Sequence, residues 1–294
     1  MPGQKTAGNY TFHTINILFL SVMSLLCLFP LIHILAISFS SSSAAASGMV
    51  TFWPVNFTWD SYSFILEKPE FLRSMKVTLV RVVLAVSLSM VLTIITAYPL
   101  SKDKGTLKFR TGYVWFFVFT MLFSGGLIPS YMIIKYIGIL DSIWALVLPS
   151  ALPVFHVILL LNFFRGLPKE LEESAFIDGA SYWQSLWQIF LPISLPALAT
   201  VCLFTIVGVW NSWFDGLILM NSPEKYPLAT YLFTIIQGID LSKINGSDYR
   251  NLAEISERTA KAAQIFLGAL PILAVYPFLQ KYFVKGIVLG SVKG

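Results

Sequence analysis

The chain has 294 residues, 56% of them apolar and only 12% charged, with a net charge of +5 and a mean hydropathy of +0.74. Soluble domains carry roughly twice that share of charge, so the composition excludes an ordinary soluble protein and predicts a single all-α membrane domain. The basic residues gather at the edges of apolar runs and form no stripe interleaved with aromatics, which argues against a nucleic-acid partner and for contact with membrane lipid.

A helix needs about 20 apolar residues to cross the hydrocarbon core. Only helices or closed barrels satisfy their backbone there. Six segments qualify, 15–38, 75–100, 111–134, 142–164, 193–215 and 263–284, and they are too continuously apolar to alternate as barrel strands do. The chain therefore divides into an N-terminal segment, 1–14, a six-helix transmembrane domain, 15–284, and a tail, 285–294. The first run is too long for a signal-peptide core, although Ala44-Ala45-Ala46 offers a cleavage site as the alternative to a retained helix. Cys27 and Cys202 fall inside apolar runs and read as small hydrophobes.

An even number of crossings puts both termini on one side. Lys102, Lys104, Lys108 and Arg110 after the second run, with Lys281, Lys285 and Lys293 at the end, place that side in the cytoplasm. Segments 39–74 and 216–262 then lie outside, where Lys225, Lys243, Arg250 and Arg258 mix with acids. Ser124-Gly125-Gly126, Pro149, Pro153, Pro271 and Pro277 predict broken or kinked spans. Arg81 is expected to snorkel to the interface, with pairing inside the bundle as the alternative. His156 reads as a packed, hydrogen-bonded histidine, and it shares no metal-ligand spacing with His13 or His33.

Between the fourth and fifth runs, segment 166–192 is polar. It contains Glu173-Ser174-Ala175, three residues, Gly179, nine residues, then Ile189, Leu191 and Pro192. Pro168 suits the first position of a helix running from about Lys169 to Asp178. Glu170, Glu172 and Glu173 would meet the positive end of its dipole. Ser174 and Ala175 are small enough for another surface to approach closely, and Gly179 can take the left-handed conformation that ends a helix. Ser181 with Gln184 forms a capping box for the next helix, whose Trp183, Leu186, Trp187 and Phe190 predict one apolar stripe. A solvated amphipathic connector is the plain alternative.

At the outer end of the fifth run, Trp210, Asn211, Trp213, Phe214 and Asp215 combine aromatic faces with polar groups. This suits either a saccharide path or an interfacial aromatic belt; Asn211 wants a hydrogen-bond partner, a sugar hydroxyl or another helix. The spans lack the paired carboxylates or clustered histidines of a proton relay. The chain also has no Gly-rich P-loop, so ATP would be bound by another polypeptide.

Residues 167–183, with Ser124 to Pro129, Leu140 to Leu146, Tyr282 to Ile287 and Val292 to Gly294, resemble the MalG-like carbohydrate permeases of bacterial ABC importers, of the LplC or YtcP type associated with oligosaccharides. The resemblance covers nearly the whole chain. It implies the type I, MetI-like permease fold with a cytoplasmic coupling helix, in the bacterial cell membrane. It also implies a second, homologous permease forming a heterodimer, two ATPase subunits that hold ATP and Mg2+, an extracytoplasmic solute-binding protein and an oligosaccharide substrate, uronate-containing chains among the candidates. No cofactor is expected in this chain. The ATPase-coupling role falls on Glu172, Glu173, Ser174, Ala175, Phe176, Ile177, Asp178 and Gly179, and the tail from Lys285 to Gly294 is expected to reach the ATPase dimer. The outer loop from Gly216 to Ala260 is expected to face the binding protein, with Ser256 to Ala263 extending the sixth helix outward. Ser174 stands where the family pattern has Ala, and it keeps the position small. A membrane-embedded enzyme would need a G-x-S-x-G or H-E-x-x-H arrangement, and a stand-alone secondary transporter would need more intramembrane ionisable groups.

Overall fold

A computed structural model describes residues 7–103, 105–236 and 257–291, and among them all regular structure is helical. In chain order the helices are α1 Ala7–Ser38, α2 Ser42–Ala46, α3 Asp60–Glu67, α4 Pro69–Ser101, α5 Arg110–Leu122, α6 Leu127–Ile137, α7 Ile143–Val147, α8 Val154–Gly166, α9 Lys169–Ile177, α10 Tyr182–Ser185, α11 Leu191–Ile193, α12 Leu195–Asn211, α13 Phe214–Leu219, α14 Leu228–Ile236 and α15 Glu257–Ser291. Short 3-10 turns follow α7 and α13, and a π-helical stretch, Leu186–Phe190, joins α10 to α11.

Among the described residues three helices are long and apolar enough to cross a membrane unaided, and three pairs of helices bent at a short break would each do so if taken as one span. The pair α5 and α6 bends by 111°, the pair Ile143–Ser150 and α8 by 44°, and the pair Tyr182–Ile193 and α12 by 79°. The runs 111–134, 142–164 and 193–215 are therefore interrupted rather than straight. Gly126 explains the sharpest break, because its φ of +87° is a conformation that side-chain-bearing residues rarely adopt. Pro153 caps α8 and cannot donate a backbone hydrogen bond to the turn before it. Pro271 and Pro277, by contrast, are absorbed inside α15.

Segments expected as outer loops contain structure of their own. Residues 39–74 hold α2, α3 and the first turns of α4, and the described part of 216–260 is largely α13, α14 and the start of α15. The last helix begins at Glu257, so residues 257–263 extend it as expected, and it continues to Ser291, so most of the expected tail is helix. Lys243 and Arg250 of the outer loop, Lys104, and Val292 to Gly294 of the tail lie outside the described residues.

The chain divides into two compact units, residues 1–69 with 234–270, and residues 70–233 with 271–294. In the first, α1 is exposed along its apolar length from Tyr10 to Ile32, as a helix surrounded by hydrocarbon or another chain would be. Its far end is anchored, with Ala36 and Ile37 packing on Ala44, Ala45, Val50 and Ala262. Ala44 and Ala45 are thus core residues of a short helix rather than the extended strand that cleavage requires.

In the second unit, α4 buries one face along its length through Ser74, Thr78, Arg81, Ala85, Ser89, Thr93 and Ala97. These recur at three- and four-residue intervals, the helical period. Most are small, which suits a medium where helices gain little from apolarity and associate by close backbone approach. Near one end of this face, Ala97, Tyr98 and Leu100 pack on Val157, Leu160, Leu161 and Phe164 of α8, with Leu186, Phe190 and Ala197. Farther along, Ala85 packs on Val147 and Val209. This framework holds both the polar segment after α8 and the polar cluster after α12.

Candidate coupling site and polar centre

The segment after α8 folds as helix, reversal, helix. Pro168 caps α9 from just outside it, one position earlier than expected, and the helix ends at Ile177. Gly179, at φ +83°, makes the reversal. Its amide donates to Phe176 O at 3.1 Å and the Ala180 amide to Ala175 O at 2.8 Å, the paired bonds of a Schellman ending. Ser181 then starts α10 with the expected capping box: the Gln184 amide donates to Ser181 Oγ at 3.3 Å, and the Ser181 amide donates to Gln184 Oε1 at 2.7 Å.

The helix presents two unlike faces. Ala175 is 7% exposed and turned into the chain's own body, so it does not offer the free small surface expected of it. Glu173, Ser174, Asp178 and Gly179 are exposed, and Ser174 Oγ donates to the Glu170 carbonyl one turn back. Phe176 is partly exposed, with its ring edge on Tyr182 at 4.9 Å. Ile177 is 85% exposed. Leu171 and Phe176 of the same helix are also exposed, and burying Ile177 against a partner would contribute about 1.5–3 kcal/mol.

An adjoining face, Lys169 and Glu172, is tied to residues just beyond α4. Lys102 Nζ donates to Glu172 Oε1 at 2.5 Å, and Lys169 Nζ donates to Asp103 Oδ2 at 2.6 Å. The two pairs differ in setting. Lys102 is 8% exposed and lies over the Tyr98 and Phe190 rings at 3.9 and 4.1 Å, a cation–π arrangement that helps offset desolvation of the charge. Burial pushes the Lys102 ammonium below the usual lysine range, against the pull of the Glu172 carboxylate. The Asp103–Lys169 pair is open to water; its hydrogen bond holds the Asp103 carboxyl below the ordinary range and raises Lys169.

The predicted stripe after the reversal divides. Leu186 and Phe190 are buried, whereas Trp183 and Trp187 are 58% and 60% exposed. Leu186 and Phe190 form the inner edge of the stripe, and Trp183 and Trp187 its outer edge.

The cluster after α12 is not one surface. Trp210 is buried, Asn211 is exposed and its Nδ2 donates to Val207 O at 3.0 Å, so its partner is its own helix rather than another. Trp213 stacks on Phe233 with ring centroids 3.9 Å apart, and Phe214 is exposed. Asp215 is paired with Arg81. Arg81 therefore does not snorkel: it is 1% exposed, bonded to both Asp215 oxygens, and donates to Ser212 O and Leu146 O at 3.4 Å. Asp215 also accepts from Ser212 Oγ and the Gly216 amide, each at 2.8 Å. A residue starting 20 positions from the helix end at Ser101 meets this partner because the break after Asn211 turns α13 toward α4. His156 is buried with Nδ1 3.4 Å from Thr205 Oγ1, the packed histidine expected.

Sequence reasoning missed the roles of Lys102, Asp103 and Tyr98. Lys102 read only as a topology charge, and nothing local links it or Asp103 to partners 70 and 66 positions away.

Residues 106–289 match the family described as binding-protein-dependent transport system inner membrane component. The chain is 42% identical over 290 residues to Protein LplC of Bacillus subtilis (strain 168), covering 99% of this chain and 97% of that protein. It is 40% identical to the polygalacturonan/rhamnogalacturonan transport system permease protein YtcP of the same organism, over 94% of this chain and 96% of that one. In structure it is similar to a chain of a bacterial ABC transporter involved in the import of the acidic polysaccharide alginate, with a TM-score of 0.86, 31% identity, and coverage of 96% and 99%. The long apolar helices, the interrupted crossings and the matched fold agree: the chain belongs to the family of binding-protein-dependent transport system inner membrane components, with the permease fold of an ABC transporter.

Proposed function

We propose that this chain is the translocation subunit of an ATP-driven importer of oligosaccharides, receiving motion from a separate ATPase through α9 and the reversal at Gly179. The observation that carries this reading is a helix anchored on one side and free on another: Ser174, Ile177, Asp178 and Gly179 are exposed while Glu172 and Ala175 fasten it to the chain's own body. A helix free on one side and anchored on the other transmits a push. The reading assigns ATP and Mg2+ to two ATPase subunits and the completed pathway to a heterodimer with a second, homologous permease. Solute is delivered by an extracytoplasmic binding protein. Both termini and α9 then lie in the cytoplasm, as the placement of Lys102, Lys108 and Arg110 supports.

Uronate-containing oligosaccharides are the substrate class supported by the names of the relatives, one concerned with polygalacturonan and rhamnogalacturonan and one with alginate. Trp213 and Phe214 offer partly exposed aromatic faces, and Asn211 an exposed amide, to such a chain. Trp210 and Asp215 act behind them, Trp210 as buried packing and Asp215 as the counter-ion of Arg81.

Affinity purification of the tagged chain from its native membrane tests the assignment. The expected product contains a second permease and an ATPase, and hydrolyses ATP faster when a binding protein loaded with a galacturonate oligosaccharide is added. A single-chain species that transports the sugar alone would reject it.

A further inference from the structure

The helix α9 is joined through the backbone to α8 and to α10, yet its strongest side-chain ties go elsewhere. Two consecutive residues immediately beyond α4, Lys102 and Asp103, pair with Glu172 and Lys169. Glu172 and Lys169 are three positions apart, the spacing that places side chains on one helix face. Between Ser101, Lys102, Asp103 and Thr106 on one side and Pro168, Lys169, Glu172 and Glu173 on the other lies a cleft of about 230 Å3. Phe164, Leu167, Phe176 and Phe190 also line this cleft, and across its open part the two ion pairs act as struts between the residues beyond α4 and α9. One strut is embedded, since Lys102 is 8% exposed and lies over a ring from α4, Tyr98, and a ring from the π-helical stretch, Phe190. The other is solvent-facing.

On the far side of this junction α4 is one unbroken helix. At 1.5 Å per residue, Arg81 lies about 30 Å along it from Lys102. The same rod thus carries the struts to α9 near one end and the buried pair with Asp215 toward the other.

We propose that Lys102 and Asp103 are positioning residues that fasten α9 to α4, so that displacement of α9 by the ATPase moves the second span as a lever and reaches the Arg81–Asp215 centre. The proposal rests on the coupling role of α9 described above. It makes the second span, rather than only the crossings adjoining α9 in sequence, the transmitting element. A shared neighbourhood does not establish energetic coupling, so the test reads coupling directly.

The complete importer is purified with its partner permease, ATPase and binding protein and reconstituted in liposomes. Transport of a galacturonate oligosaccharide and ATP hydrolysis are measured on the same preparation. Lys102→Met keeps the length of the side chain and removes the charge. The expected variant retains its ATPase and basal hydrolysis while sugar moved per ATP falls about tenfold, within the range typical of coupling between sites. Asp103→Lys is expected to lower the same ratio, and adding Lys169→Asp to restore it, since that pair is exposed and tolerates reversal.

Wild-type transport per ATP in Lys102→Met overturns the lever. Loss of the ATPase from that variant also overturns it, because Lys102 would then belong to the docking surface. If Lys102→Met does not insert, the reversal series decides: an unchanged ratio in Asp103→Lys, or no recovery in the double variant, refutes the proposal. A wild-type preparation lacking any ATPase refutes the coupling role itself, and the lever with it, a result distinguishable from an intact importer indifferent to Lys102.

Discussion

Replacing Asp215 by Asn should destabilise the protein more than removing Arg81. The guanidinium is 1% exposed, and its remaining acceptors, Ser212 O and Leu146 O, are both at a long 3.4 Å. Asp215→Asn leaves that cation buried without a counter-charge, and breaking a buried pair from one side costs about 3–5 kcal/mol. The lower end applies here, about 3 kcal/mol, because the Asp215 side chain is 28% exposed and water can take part of its place. Arg81→Met leaves a carboxylate that still accepts from Ser212 Oγ and the Gly216 amide and is reached by solvent. Its cost should be about 1–2 kcal/mol, the scale of lost hydrogen bonds to a charged group. The double variant should lose less than the two single losses added, because an absent cation needs no counter-ion. Thermal unfolding of the detergent-solubilised protein measures all three. At about 2–4 °C per kcal/mol for a unit of this size, Asp215→Asn should lower Tm by about 6–12 °C. Equal losses in the two single variants, or strict additivity in the double, would refute the view that Arg81 depends on Asp215.

At Gly179 an added Cβ meets nothing within 4 Å, so Gly179→Val acts through the left-handed backbone alone; about 1–2 kcal/mol of strain should weaken ATPase capture on affinity resin, with Gly179→Asn close to wild type and equal capture by both counting against the assignment. Ile177→Ser should also reduce capture, yet shift stability by no more than about 0.5 kcal/mol because the residue is 85% exposed, a separation that parallel capture and melting measurements would show. Gly216→Ala should lower Tm, since its Cβ would stand 2.1 Å from Thr230 Oγ1 and 2.9 Å from Pro227 Cδ, an overpacking worth about 1–3 kcal/mol. The Asp103 carboxyl is held below its ordinary value of 3.8 by Lys169; the stability it contributes is therefore present above pH 3.8 and is lost as pH falls through the depressed value. Acid melting curves of wild type and Asp103→Asn should converge below that window, and a gap that persists there would contradict the pairing.

Much of the segment between α8 and α12 was legible because its signals are local. A capping box, a glycine that ends a helix and a proline just before one operate over three or four residues, and Ser181, Gln184, Gly179 and Pro168 fell within a position of where they were expected. The apolar runs were legible because a bilayer demands a minimum length of apolar helix whatever the tertiary arrangement. The breaks within two of those runs were foreseeable from Gly126 and Pro153, though their angles were not, whereas the break at Ser194 was not foreseen and Pro271 and Pro277 stay inside one helix.

Which face of each element is covered depends on neighbours distant in sequence, and there local reading failed. Ala175, read as small enough for another surface to approach, packs inward, while Trp183 and Trp187 are exposed beside buried Leu186 and Phe190. Arg81 and Asp215, 134 positions apart, were read as an interface anchor and a substrate contact, and only folding brings the two charges together. Length, apolarity and turn chemistry are properties of a few consecutive residues and so belong to the sequence. The pairing of charges in a medium that cannot hydrate them is set by whichever helices meet, which the tertiary structure alone decides.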